Sequence, residues 1–207
     1  MSICRIFILS FIALALPCFA QANTILVMGD SLSAAYGIEL EQGWVSLLHN
    51  KLDRMQDNDN PWRVINASVS GETTAGALAR LPGLLDEYKP ALCILELGAN
   101  DGLRGQPVSN MREHLNAMIA LCKNYGKVLL LGIRLPPNYG RKYTEEFDQS
   151  FAQLAEQNNI PFVPFILDGI ALHEQYMQLD GLHPTASAQE IILKNVWPIL
   201  NTMLEPL

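Results

Sequence analysis

Five short runs in this chain read as strands, and several of them are apolar almost from end to end. They are TILVM at 24–28, WRVINA at 62–67, ALCILEL at 91–97, KVLLLGI at 127–133 and PFVPF at 161–165. A strand with one wet face alternates apolar and polar side chains, whereas a strand covered on both faces does not. Runs of this kind predict a sheet buried from both sides. The covering layers lie between the runs. Trp44, Leu48, Leu52 and Met55 recur at helical spacing, as do Met111, Leu115, Met118, Ile119 and Cys122, and then Phe147, Phe151, Leu154 and Ala155. Strand and helix in alternation predict a three-layer α/β/α sandwich around a mostly parallel five-stranded sheet.

Local signals add detail. The pattern from Thr74 to Tyr88 is helical, but Pro82-Gly83 is predicted to break or kink it. Ser187-x-x-Glu190 matches a capping box opening a last helix through Ile191, Ile192 and Val196, with Pro198 bending its end. QDNDNP at 56–61 reads as a surface loop. There is no internal repeat, no low-complexity tract and no interdomain linker.

The first 22 residues stand apart. Arg5 precedes an apolar stretch from Ile6 to Leu16, and Ala20-Gln21-Ala22 fits an A-x-A cleavage site. That is the layout of a secretory signal peptide. The apolar stretch is short of the roughly 20 residues a membrane span needs. A lipoprotein reading of Cys18 is disfavoured by Pro17, which stands where a small residue is wanted. The expected organisation is a signal peptide over 1–22 and a single domain over 23–207, periplasmic or secreted.

The formal net charge is −7. An acidic chain with no basic cluster argues against a nucleic-acid partner, because that binding depends on neutralising phosphates. It argues equally against electrostatic docking on anionic membranes. Beyond the leader, the cysteines are Cys93 and Cys122. Both sit on apolar patterns, so two buried thiols are expected rather than a disulfide, although an oxidising compartment permits one. No C-x-x-C or zinc spacing occurs.

Small and polar residues collect where the predicted strands end, the edge at which ligands bind in open α/β sheets. These segments are Gly29-Asp30-Ser31, the stretch Asn66 to Glu72, Gly98-Ala99-Asn100-Asp101, the stretch Arg134 to Tyr139, and Asp180-Gly181-Leu182-His183-Pro184. Serine attack needs a base, a group to orient that base, and donors for the oxyanion. Ser31 is the candidate nucleophile, at a predicted strand-to-helix turn whose N–H groups favour negative charge. The simpler reading is that Ser31 or Ser33 caps a helix. His183 is the candidate base, with Asp180 three residues earlier across a glycine turn as its orienting carboxylate. The simpler reading there is a turn followed by a proline. His49 and His114 lie in helical patterns and read as surface or packing residues, and His173 has no partner in view. Gly71 and Asn100 are candidate oxyanion donors, and turn chemistry is the simpler reading for each.

These residues resemble the SGNH, or GDSL, hydrolases. That family carries Ser in a GDS block, Gly in a second block, Asn in G-x-N-D and His in D-x-x-H. Here the blocks stand in the same order as GDSLS at 29–33, Gly71 in NASVSGET, GAND at 98–101 and DGLHP at 180–184. ARLPGLL, LELGANDGLRG and IRLPPNYGRKY are similar to its bacterial periplasmic branch of thioesterases, lysophospholipases and arylesterases. The resemblance covers essentially the whole chain after the leader. It implies a flavodoxin-like sandwich and a reaction without metal or cofactor. It also implies a Ser31–His183–Asp180 triad, with an oxyanion hole from the Ser31 and Gly71 N–H groups and the Asn100 side chain. The expected activity is hydrolysis of carboxylic esters and thioesters, with acyl-CoA-type thioesters, lysophospholipids and aryl esters as substrate classes. Leu103, Leu135, Pro136 and Tyr139 are candidate acyl-groove residues, with loop packing as the alternative for Leu103 and Leu135. Two other readings stay open: a carbohydrate acetyl-esterase of the same fold, and a non-catalytic binding protein. Nucleotide binding lacks a G-x-G-x-x-G or P-loop.

Overall fold

The computed structural model describes residues 23–55, 61–171 and 173–204. The expected signal peptide and nearly all of the 56–61 loop lie outside the described residues. Five strands form one parallel sheet: β1 (Asn23–Gly29), β2 (Trp62–Asn66), β3 (Leu92–Glu96), β4 (Lys127–Leu131) and β5 (Phe162–Val163). Their order is β2-β1-β3-β4-β5. The register runs Ile25 beside Val64 and Leu92, and Leu92 beside Lys127.

Burial follows the order. Every residue of β3 is buried, as are the last five of β1 and the last four of β4. The buried stretches of these interior strands are apolar up to Glu96, which closes β3. β2 is an edge strand and only part-buried. β5 is shorter than the 161–165 run predicts. Pro161 and Pro164 flank it, and proline has no N–H to give a ladder.

Helices α1 (Trp44–Met55), α2 (Thr74–Tyr88), α3 (Ala99–Leu103), α4 (Val108–Lys123), α5 (Arg141–Asn158) and α6 (Gln189–Leu204) complete the chain. Helix α1 packs on α6, while α4 lies between α2 and α5. The predicted stripes face inward except at Met55, the last residue of α1, which is exposed: Trp44, Leu48 and Leu52 from α1; Met111, Leu115, Met118, Ile119 and Cys122 from α4; Phe147, Phe151, Leu154 and Ala155 from α5. Cys93 and Cys122 are buried free thiols, close enough that their contact and burial push the Cys93 thiol up.

Three local predictions need correction. Helix α2 does not end at Pro82-Gly83 but continues to Tyr88. Ala77, Leu81 and Leu85 bury one face on either side of the proline, which offsets the missing backbone bond. Ser187 does not open the last helix through a capping box. It lies inside a 3-10 turn, Ala186–Ala188, and its hydroxyl pairs with that of Thr185 at 2.9 Å. Residues 31–37 are a run of turns rather than the start of a helix, and α1 begins at Trp44.

Candidate active site

In the strand order 2-1-3-4-5, connections leave β1 and β3 toward opposite faces, and a crevice opens between their carboxyl ends. The GDS block follows β1 and the GAND block follows β3, so both stand at that crevice. The segment after β2 is drawn in beside them: Val69 N–H donates to the Gly29 carbonyl at 3.1 Å, and Asn66 Nδ2 to the Ser33 carbonyl at 2.8 Å.

The turn at Ser31 is held from beneath. Ala34 N–H closes on the Asp30 carbonyl at 2.9 Å, and Leu32 N–H donates to Asp30 Oδ1 at 3.1 Å. Buried Glu96, the last residue of β3, accepts from Asp30 N–H at 3.3 Å and from the Ser33 hydroxyl at 2.7 Å through one oxygen. The same hydroxyl accepts from Trp44 Nε1 at 3.2 Å. Gly29 is required here. A Cβ on it would stand 2.6 Å from Ser33 Oγ and 2.8 Å from Glu96 Oε2.

Ser31 Oγ lies 2.8 Å from His183 Nε2, and His183 Nδ1 lies 2.6 Å from Asp180 Oδ2. The other Asp180 oxygen accepts the N–H groups of Leu182 and His183 at 2.9 and 3.0 Å. Partial burial pulls the Asp180 pKa up. The hydrogen bonds from His183 and Leu182, with the charge of the imidazole, outweigh it and hold the carboxyl at about 2. A carboxylate fixed in this way keeps the proton on Nδ1 and leaves Nε2 to accept one from Ser31. The loop carrying both residues is pinned to the serine turn by Gln178. Its Nε2 donates to the Tyr36 carbonyl at 2.8 Å and to the Pro184 carbonyl at 2.9 Å. The Tyr36 ring lies on the His183 ring, with centroids 4.4 Å apart.

Asn100 sits in the first turn of α3, and its Nδ2 donates to Asp30 Oδ2 at 3.1 Å. Burial raises Asp30 to a pKa of about 6, against the pull of the Leu32 N–H and the Asn100 amide. Burial and the neighbouring Asp30 hold Glu96 well above the usual carboxylate range. Gly71 has φ +79°, a conformation that a Cβ penalises. Its carbonyl accepts from Arg104 Nη2 at 2.9 Å.

The candidate groove residues divide. The Tyr139 hydroxyl donates to the Leu103 carbonyl at 3.0 Å, which joins the two loops. Leu103, Pro136 and Tyr139 are part-exposed, whereas Leu135 is buried in the core against Gly102. Packing is therefore the better reading for Leu135. The remaining histidines have local partners. His49 faces Asp53 at 3.4 Å, His114 Nδ1 meets the Thr74 hydroxyl at 3.0 Å, and His173 lies edge-on to Tyr176.

Glu96, Gln178 and Tyr36 have no part in the sequence reading, and Asp101 enters it only as the last residue of the GAND block, with no role assigned. Glu96 does carry a signal, as a lone acid inside the apolar run ALCILEL. Gln178 and Tyr36 have none, since their roles depend on contacts between distant segments.

Known proteins resemble this chain along most of its length. A profile described as the GDSL-like Lipase/Acylhydrolase family matches residues 27–191. "Esterase TesA" of Pseudomonas aeruginosa is 50% identical over 186 residues, covering 89% of this chain and 91% of that protein. "Thioesterase 1/protease 1/lysophospholipase L1" of Escherichia coli K12 is 40% identical over 200 residues, 93% of each. Among solved structures, a TesA crystal structure superposes with a TM-score of 0.84 at 48% identity, covering 88% of this chain and 100% of that one. The psychrotrophic esterase EstA of a Pseudoalteromonas species, inhibited by monoethylphosphonate, superposes with a TM-score of 0.82 at 44% identity, covering 88% and 98%. The chain belongs to the GDSL-like lipase/acylhydrolase family.

Proposed function

We propose that this protein is a serine esterase that hydrolyses carboxylic esters and thioesters through an acyl-enzyme on Ser31. The observation that carries the assignment is the unbroken chain from Ser31 Oγ through His183 to Asp180, at 2.8 and 2.6 Å. His183 Nε2 takes the Ser31 proton as Oγ attacks the acyl carbon. The N–H groups of Ser31 and Gly71 and the free hydrogen of the Asn100 amide receive the oxyanion. As the tetrahedral adduct collapses, the bond to the leaving group breaks and Nε2 returns the proton to the departing alcohol or thiol. Water then gives a proton to Nε2 and attacks the acyl-enzyme. Ser31 leaves with that proton and the free acid departs.

Residues 1–22 act as a cleaved signal peptide in this reading, and the enzyme works in the periplasm or outside the cell. The support is the charged, apolar and small-residue sequence of the leader. Among the described residues, no helix is long and apolar enough to cross a membrane. Lysophospholipids and aryl esters are the substrate classes favoured by the names of the relatives. Leu103, Pro136 and Tyr139 are the residues proposed to meet the acyl chain.

Hydrolysis of p-nitrophenyl esters from acetyl to palmitoyl tests the assignment, with Ser31→Ala alongside. Activity on medium or longer chains that vanishes in the variant is expected. Activity confined to acetate would favour carbohydrate deacetylation. Equal inertness of both proteins would overturn catalysis by Ser31.

A further inference from the structure

Two of the proposed oxyanion donors, Gly71 and Asn100, belong to different segments, so something must set the distance between them. Asp101 follows Asn100 on α3, and its side chain is buried. One of its oxygens accepts the Thr74 N–H at 2.8 Å, and the other accepts the Thr74 hydroxyl at 2.6 Å. Thr74 opens α2, three residues beyond Gly71. From the end of α3, Arg104 reaches the Gly71 carbonyl at 2.9 Å. The short helix that carries Asn100 therefore grips both ends of the 71–74 segment. Thr73 caps α2 locally by accepting the Gly76 N–H, so the Asp101 carboxyl serves a different first-turn donor, the Thr74 N–H, together with the Thr74 hydroxyl. A buried carboxylate costs free energy unless it is fully engaged, and here both oxygens are committed to one residue of the oxyanion segment.

We propose that Asp101, assisted by Arg104, is a positioning residue that fixes the Gly71 N–H at its working distance from the Asn100 amide. The proposal rests on the esterase reading above. Removing one oxyanion donor outright costs about 10²–10³ in kcat, so loosening two of them should cost about tenfold or more.

The test is steady-state kinetics on a p-nitrophenyl ester for Asp101→Ala, Asp101→Asn and Arg104→Ala, with thermal unfolding measured for each. Asp101→Ala is expected to lower kcat at least about tenfold, with KM held within about twofold. Its rate of phosphorylation by diethyl p-nitrophenyl phosphate should fall in parallel. In that step the Ser31 Oγ–P bond forms, p-nitrophenolate leaves and the serine proton passes to His183. Asp101→Asn should recover most of the rate, since its oxygen can take the Thr74 N–H and its NH2 can donate to the Thr74 hydroxyl. In an Asn100→Ala background, Asp101→Ala should cost less than about threefold, because one of the two donors it spaces is gone.

A folded Asp101→Ala protein with wild-type kcat would overturn the proposal, as would a loss seen only in KM or fully multiplicative with Asn100→Ala. If Asp101→Ala does not fold, exposed Arg104 decides: a several-fold fall in kcat at constant KM supports the brace, and no change removes it. Ser31→Ala separates the two readings. An active Ser31→Ala protein defeats the esterase mechanism itself, whereas an inert one beside an unimpaired Asp101→Ala defeats only the positioning role.

Discussion

Asn100 Nδ2 donates to Asp30 Oδ2 across 3.1 Å, so the residue before the proposed nucleophile aims the side chain proposed to bind the oxyanion. With one amide hydrogen committed to Asp30, the direction of the other is fixed. Asp30 needs two acceptor oxygens for this, because Oδ1 is already taken by the Leu32 N–H. Asn at position 30 has one oxygen for two claims. Asp30→Asn is expected to lower kcat about tenfold to a hundredfold while changing KM little. Steady-state rates on a soluble aryl ester measure it, and a wild-type kcat would rule out this role for Asp30.

Burial of Asp30 also has a pH signature. Its pKa in the folded protein is raised to about 6, from an ordinary 3.8. An acid that binds its proton more tightly when folded contributes most below the unfolded pKa, and its contribution declines as pH rises through 4 to 6. The loss is on the order of 3 kcal/mol at most for this one group. Asp180, held at about 2, has the opposite sign: its contribution is present above about 4 and fades as pH falls toward 2. Urea midpoints taken from pH 4 to 7 should decline more steeply for wild type than for Asp30→Asn. Parallel profiles would mean that Asp30 titrates normally.

Burial and the neighbouring Asp30 hold Glu96 well above the usual carboxylate range, and its contacts are structural. One oxygen receives both the Asp30 N–H and the Ser33 hydroxyl. Glutamine keeps an acceptor there without a charge. Leucine leaves both donors unsatisfied, at about 1–3 kcal/mol each. Glu96→Gln should therefore retain most stability and activity, and Glu96→Leu should lose several kcal/mol in chemical denaturation. Equal losses in the two variants would show that the carboxyl does more than accept.

Gln178 carries the contact between the two halves of the triad. Its amide holds the Tyr36 carbonyl on the serine turn and the Pro184 carbonyl beside His183. Gln178→Ala frees the loop that brings the imidazole to Ser31. We expect kcat to drop several-fold with a small change in unfolding temperature, because one of the lost bonds is exposed and the other only part-buried. An unchanged kcat would mean that the Asp180 turn alone places His183.

How far the sequence reaches can be judged from these residues. The strands were legible because burial on both faces favours near-continuous apolar runs, which β1, β3 and β4 carry with Glu96 at the end of β3 as the exception. The proposed triad was legible because Asp180 and His183 are three residues apart, and because the strand-end segments share one edge of the sheet. The framework that holds the triad was not legible. Glu96 reaches Ser33 across 63 positions and Gln178 reaches Tyr36 across 142, and no local pattern encodes such pairs. The turns after Ser31 were misread because Leu32, Ala34 and Ala35 suit a helix. In the structure Asp30 accepts the Leu32 N–H and Ala35 adopts φ +57°, which ends any helical course.

The same limit explains Pro82, and it gives the clearest test of stability. Local preference puts a break or a kink at Pro82-Gly83, and α2 runs through both residues without a break. Proline at 82 removes the bond to the carbonyl of Leu78 and crowds it, a cost of about 3 kcal/mol in a helix interior. Glycine at 83 adds about 0.5–1 kcal/mol relative to alanine. The helix survives because Ala77, Leu81 and Leu85 are fully buried against the sheet. Pro82 and Gly83 are exposed, and a Cβ at 83 would meet nothing within 4 Å. Alanine at each position should relieve the cost without disturbing the core. Pro82→Ala is expected to stabilise by about 1–3 kcal/mol and Gly83→Ala by about 0.5–1 kcal/mol, both read from denaturant midpoints at constant slope. Activity should be little changed, since α2 meets the site through its first residues and through Arg80, which holds Glu72 and the Ala67 carbonyl, all of them before Pro82. Loss of stability in Pro82→Ala would mean that a bend in α2 is part of how Leu81 and Leu85 reach the core.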